Sequence, residues 1–124
     1  MKFFEVVTVD VLGQLFGAAW STIVPENLSI AGTPDLLVYN NSGHFFTIEL
    51  KVVKGSKIRF SPHQIAFHVR HPKNTFILVK HLSSRSVKLY EGKDILELDA
   101  RGLSLEPCCS SLDACCLWLE SLGA

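Results

Sequence analysis

The chain has 124 residues, twelve Lys/Arg against twelve Asp/Glu, and 48% apolar side chains, which suits one domain with a core that needs no disulfide staples. No apolar run approaches the ~20 residues that cross a bilayer, and the opening MKFFEVVTVD breaks its apolar stretch with acids, unlike a secretory leader; a soluble cytoplasmic domain spanning 1–124 is expected. Zero net charge gives no overall attraction to polyanions, so any such partner must be sought in how the charge is distributed.

In chain order, apolar residues Phe3, Phe4, Val7, Val11, Leu15 and Ala18 recur near a helical period and predict a helix over 3–19, against the β-branched run Val6-Val7-Thr8-Val9. WSTIVPEN reads as a short strand closed by Pro25, and SIAG as a turn. Asp35–Asn40 is a buried strand, and Asn40-Asn41-Ser42-Gly43 has hairpin-turn chemistry. His44–Val53 is the next strand, followed by a Gly/Ser/Lys loop over 54–60. Ser61-Pro62-His63-Gln64 opens a helix with Ser at the N-cap, Pro at the first position and Gln closing a capping box; Pro72 stops it. TFILVKHL and SVKLYEG are two more strands, the first apolar enough to lie inside a covered sheet. An amphipathic helix carrying Leu112, Leu117, Trp118 and Leu122 ends the tail. The order α-β-β-β-α-β-β plus a C-terminal helix predicts an α/β sandwich around a mixed sheet, with a core over about 20–91 and a C-terminal extension over about 92–124.

Charge is unevenly distributed. Between residues 51 and 73 lie Lys51, Lys54, Lys57, Arg59, Arg70 and Lys73, three histidines and no acid; from Glu91 onward acids dominate. That asymmetry fits a protein with one anion-facing surface, and equally a solvated basic loop beside an acidic helix. The cysteines Cys108, Cys109, Cys115 and Cys116 form vicinal pairs unlike zinc-finger spacing and read as reduced structural thiols.

Three charges stand out inside apolar strands: Asp35, Glu49 and Lys51. A hairpin turning about Ser42 pairs residues whose numbers sum to about 84, setting Asp35 against Glu49 on one face with Cβ atoms about 4.5–5.5 Å apart. Lys51 shares that face by strand alternation, while Ile48, Leu50 and Val52 enter the core. Opposed carboxylates repel, so the pair needs positive charge. Lys51 supplies some, and Mg²⁺ or Mn²⁺, which prefer oxygen donors, would supply the rest. A surface Asp–Lys–Glu cluster of little energetic weight is the plainer alternative.

The spacing Pro34-Asp35, thirteen residues, Glu49-Leu50-Lys51, with Gly32 ahead and Ser61-x-x-Gln64 opening the following helix, resembles the PD-(D/E)XK nuclease superfamily. It is similar in particular to virus-type replication–repair (VRR-NUC) nucleases and archaeal Holliday-junction resolvases. The resemblance implies an αβββαβ restriction-endonuclease-like core with a mixed central sheet flanked by helices. It also implies a Mg²⁺- or Mn²⁺-dependent phosphodiesterase: a structure-selective DNA endonuclease of junction or flap type, from a phage or mobile element, serving repair or recombination in the host cytoplasm. By that likeness Asp35, Glu49 and the Leu50 carbonyl hold metal, and Lys51 is catalytic. Gln64 lies near the metal waters or scissile phosphate, although the capping box explains it equally well. Relatives carry a further acid on the first helix, for which Glu5, Asp10 and Glu26 are candidates. Resolvases act as dimers, so a homodimer is expected by analogy.

Lys54, Lys57 and Arg59, with His63, are candidates for holding a nucleic-acid backbone. Trp20, Trp118 and the phenylalanines read as core, and His68 as a surface helix histidine. The competing function is an inactive nucleic-acid-binding or protein-interaction module on the same fold.

Overall fold

The computed structural model describes residues 5–17, 32 and 34–124. Its centre is a five-stranded mixed sheet in sequential order: β1 (Glu5–Thr8), β2 (Leu36–Tyr39), β3 (Phe45–Val53), β4 (Thr75–His81) and β5 (Ser86–Glu91). Pairing alternates: β1–β2 and β3–β4 are parallel, and β2–β3 and β4–β5 are antiparallel. Each parallel pair is bridged by a connection containing a helix, α1 (Val9–Gly17) or α2 (Pro62–Arg70), as parallel strands require.

The expected helix over 3–19 is corrected: it is split into strand and helix. Val6-Val7-Thr8 pairs in parallel with Leu37-Val38-Tyr39, where β-branched side chains fit better than in a helix. The helix begins only at Val9, and the Thr8 hydroxyl accepts the Val11 N–H at 3.2 Å. Among the described residues the order is therefore β-α-β-β-α-β-β-α-α. The expected strand over WSTIVPEN lies outside the described residues. After β5 the chain makes a turn into α3 (Ile95–Arg101), which the sequence reading did not anticipate, and closes with the expected C-terminal helix, α4 (Leu112–Glu120).

Two cores result. Leu36, Val38, Phe46, Ile48, Phe76 and Leu78 face α1 and α4, meeting Leu12, Cys115 and Leu119. Ile77, Val79 and Tyr90 face the other way, toward Ile95 and Leu98 of α3, Ile58, and the partly buried Ile65 of α2. β4 is buried along both faces up to Lys80, which accounts for its unbroken apolar run. The outer edge of β5 is covered where Leu89 exchanges backbone hydrogen bonds with Cys108 and Cys109. No helix of the described residues is long and apolar enough to cross a membrane.

Asn40, 1% exposed, clasps the two ends of the structure together. Its side-chain oxygen accepts the Ser42 and His44 N–H groups, shaping the β2–β3 turn. Its amide donates to the Leu119 and Leu122 carbonyls at 2.9 and 2.8 Å, tying the turn to the end of α4. Asn40→Ala removes four hydrogen bonds made by a buried side chain and should lower the unfolding free energy by about 2–4 kcal/mol in urea titrations.

Candidate active site

The β2–β3 register follows the expected rule. Leu36 faces Ile48, Leu37 faces Thr47, Val38 faces Phe46 and Tyr39 faces Phe45, all with numbers summing to 84. Asp35 stands one residue before β2, where the same register sets it beside Glu49. Its carboxylate extends the ladder, since Oδ2 accepts the Leu50 N–H at 2.8 Å. A residue's N–H and C=O leave a strand on the same side, so the Leu50 carbonyl also faces the Asp35 edge.

Glu49 and Lys51 are far from the surface cluster that was the plainer alternative: they are 1% and 3% exposed. Both lie on the sheet face covered by α2, aligned with Ile77 and Val79 of β4. Two charges buried this deeply need close hydrogen-bonding partners, and one side chain serves both. Gln64 Nε2 donates to Glu49 Oε2 at 3.0 Å, and Gln64 Oε1 accepts from Lys51 Nζ at 3.1 Å. The same Oε1 accepts the Ser61 N–H at 3.0 Å while the Ser61 hydroxyl accepts the Gln64 N–H at 3.1 Å, so the capping box is complete. The same side chain therefore closes the cap and contacts both buried charges. Capping orients the amide that reaches the buried pair. Lys51 Nζ also sits 5.0 Å from the Phe60 ring centroid, a favourable site for a cation.

Gly32 brings the start of this strand against α2. Its φ is +78°, and a Cβ there would come within 2.9 Å of the His63 carbonyl oxygen. Only glycine meets both conditions without strain.

Beyond Lys51, the exposed side chains of Lys54, Lys57 and Arg59 join it around a pocket of about 270 Å³. The loop that carries them is fixed by Ile58, 1% exposed in the core, and by the Leu103 N–H, which donates to the Ser56 carbonyl at 2.7 Å. His63, on the first turn of α2, is exposed.

Of the three candidate acids, Asp10 is not brought to this site. Asp10 lies on α1, on the opposite layer of the sheet, where it lines a groove with Asp113 and Glu120. Glu5 is in β1 with its backbone aligned to Leu36, and Glu26 is outside the described residues. The described residues hold no cluster of three His, Cys, Asp or Glu side chains able to bind a metal. The donor set still suits a hard cation: Mg²⁺ commonly takes one or two carboxylates and fills its remaining positions with water and phosphate oxygens.

Two expectations about other side chains are overturned. His68 is fully buried because it lies on the inward face of α2, against Gly92 and Thr75. Its Nδ1 lies 2.9 Å from the Gln64 carbonyl, which can only accept, so Nδ1 carries the proton. Nε2 is enclosed with no hydrogen-bond partner among the described residues. Phe45, expected in the core, is instead half exposed opposite Tyr39. Of the cysteines, Cys115 is buried against the sheet and Cys108 is exposed; burial pushes the Cys115 thiol up.

Compared with known proteins, the chain matches no family model, no curated protein and no solved structure.

Gln64→Ala should lower stability by about 2–4 kcal/mol in urea, since it opens the cap and strips partners from two buried charges. Burial holds His68 below its ordinary value near 6.5, and Lys51 and His71 add to the shift. The unfolded chain therefore binds a proton that the folded one refuses. Stability from this group is full above about pH 6.5 and falls as pH drops below it, by at most ~1.4 kcal/mol per pH unit. Unfolding free energies measured between pH 7.5 and 5 should fall more steeply in wild type than in His68→Gln.

Proposed function

We propose that this protein is a divalent-metal-dependent nuclease acting on nucleic-acid phosphodiester bonds, on a restriction-endonuclease-like core. The observation that carries this reading is the convergence of Asp35, Glu49, Lys51 and Gln64 at one place, with the Gln64 amide joining Glu49 to Lys51 and Asp35 held on the Leu50 N–H between them. A purely structural sheet has little use for a carboxylate and an ammonium that are each at least 97% buried, because apolar residues of similar volume would serve stability as well or better.

In this reading Asp35 and Glu49, with the Leu50 carbonyl, hold Mg²⁺ or Mn²⁺, which when bound would lower the pKa of water and stabilise charge on phosphate oxygens. Lys51 stabilises negative charge developing at phosphorus. Gln64 fixes the Lys51 ammonium and the Glu49 carboxylate relative to each other before substrate arrives, so little reorganisation remains. Lys54, Lys57 and Arg59 hold the adjoining backbone phosphates through charge alone, which favours recognition of shape over sequence. DNA junctions or flaps are the substrates favoured by the resemblance, with a phage or mobile element as the source, a role in repair or recombination, and a homodimer as the working form.

A second reading, binding without cleavage, draws on the same burial. Glu49 is 1% exposed, and one oxygen of each carboxylate is already held by a protein donor.

Purified protein with Mn²⁺ or Mg²⁺ should cleave at least one of single-stranded DNA, duplex, flap, four-way junction and RNA. Glu49→Gln keeps an acceptor for the Gln64 amide, and Lys51→Met keeps the aliphatic stem, so both should fold. Each should lower the cleavage rate by about 100-fold or more. Binding with no cleavage of any substrate under either metal would select the second reading.

A further inference from the structure

Tyr39 and Phe45 are directly opposed near the turn of the β2–β3 hairpin. Their ring centroids are 4.7 Å apart with planes inclined at 50°, and they are 42% and 49% exposed. Strand alternation sets them on the same sheet face as the buried charges, because Phe45, Thr47, Glu49 and Lys51 are alternate residues of β3. Helices α2 and α3 cover the neighbouring part of that face through Ile65, Ile95 and Leu98, but this pair remains half exposed. At about 3.4 Å per residue, Phe45 lies about 14 Å along the strand from Glu49. The pocket lined by Lys51, Lys54, Lys57 and Arg59 begins at the other end. Along one strand the order is aromatic surface, carboxylate, cations.

We propose that Tyr39 and Phe45 form a base-stacking platform that selects nucleic-acid strands with unpaired bases; this rests on the reading of Asp35, Glu49 and Lys51 as a phosphodiester site. Nucleobases offer flat π-faces that stack on aromatic rings irrespective of sequence. In a duplex those faces are occupied by neighbouring base pairs, so only an unpaired strand can present them. The 14 Å interval corresponds to about four nucleotides at a stacked rise of ~3.4 Å. A strand passing the partly exposed Asp35, outside the cover of α2, would thus place bases on Tyr39 and Phe45 to one side of the carboxylates and its phosphates among the cations to the other. The aromatic end supplies the preference for unpaired bases. The cationic end supplies affinity for any backbone.

The test is fluorescence anisotropy of three labelled ligands of about 12 nucleotides, a length within the range of single-strand sites. They are a thymidine single strand, an abasic strand of equal length and a duplex. Wild type should bind the thymidine strand more tightly than the other two. Tyr39→Ala with Phe45→Ala should weaken binding of the thymidine strand by roughly 5- to 150-fold and leave the abasic strand unchanged. Phe45→Trp should retain the preference, and its added indole fluorescence should be quenched by the thymidine strand but not by the abasic one. Equal weakening on both strands, or no change, overturns the platform. So does loss of the thymidine preference in Phe45→Trp, a variant that keeps an aromatic ring on the hairpin if the double alanine variant unfolds. If wild type prefers no strand but loses binding in Lys54→Ala/Lys57→Ala/Arg59→Ala, the stacking proposal alone falls. If wild type binds none of the three ligands, the platform falls; if it also binds neither a flap nor a four-way junction, the phosphodiester reading falls with it.

Discussion

The arrangement turns on a neutral amide held between a buried ammonium and a buried carboxylate. An ion pair between sheet residues alone would leave helix α2 unconnected to it. By accepting from one and donating to the other, Gln64 makes the helix part of the charge network. The geometry is affordable in conformational terms because the backbone already requires it: the capping box aims the side chain before it reaches the sheet. Cap, helix orientation and charge placement are one structural decision.

The two faces of the sheet carry different duties. The face toward α1 and α4 is closed by apolar side chains from all five strands and holds the strands in register. That leaves the opposite face able to accept polar residues over β2 and β3, where helical cover is incomplete and Tyr39 and Phe45 meet solvent. A mixed sheet makes this possible. Its antiparallel β2–β3 pair aligns Asp35 with Glu49, and its parallel β3–β4 pair obliges the chain to cross over, delivering Gln64 above them.

Much of this was legible in residue order. The turn chemistry of Asn40–Gly43 fixes the hairpin register, and the Ser61–Gln64 box fixes where α2 begins, so both could be read without coordinates. What escaped depends on tertiary neighbours. Val6-Val7-Thr8 satisfies a helical period as well as a strand, and pairing with β2 decides the outcome. Helix α3 is short and has no side-chain cap, so little local signal marks it. The depth of Glu49, Lys51 and His68 depends on which helix lies over them, and strand or helix periodicity assigns a face but not its cover. Phe45 shows the converse: it alternates correctly onto its face, at a place where no helix of the described residues lies above it.

The Asn40 clasp joins residues separated by 79 and 82 positions. Contacts of such separation close a large loop and form late, after the entropy of ordering the intervening chain has been met. The hairpin that aligns Asp35 with Glu49 can form early from its own turn, but that turn gains the Asn40 clasp only when α4 docks. Assembly order is thereby built into the covalent sequence: a nascent chain can hold the two carboxylates near each other long before it can hold them still.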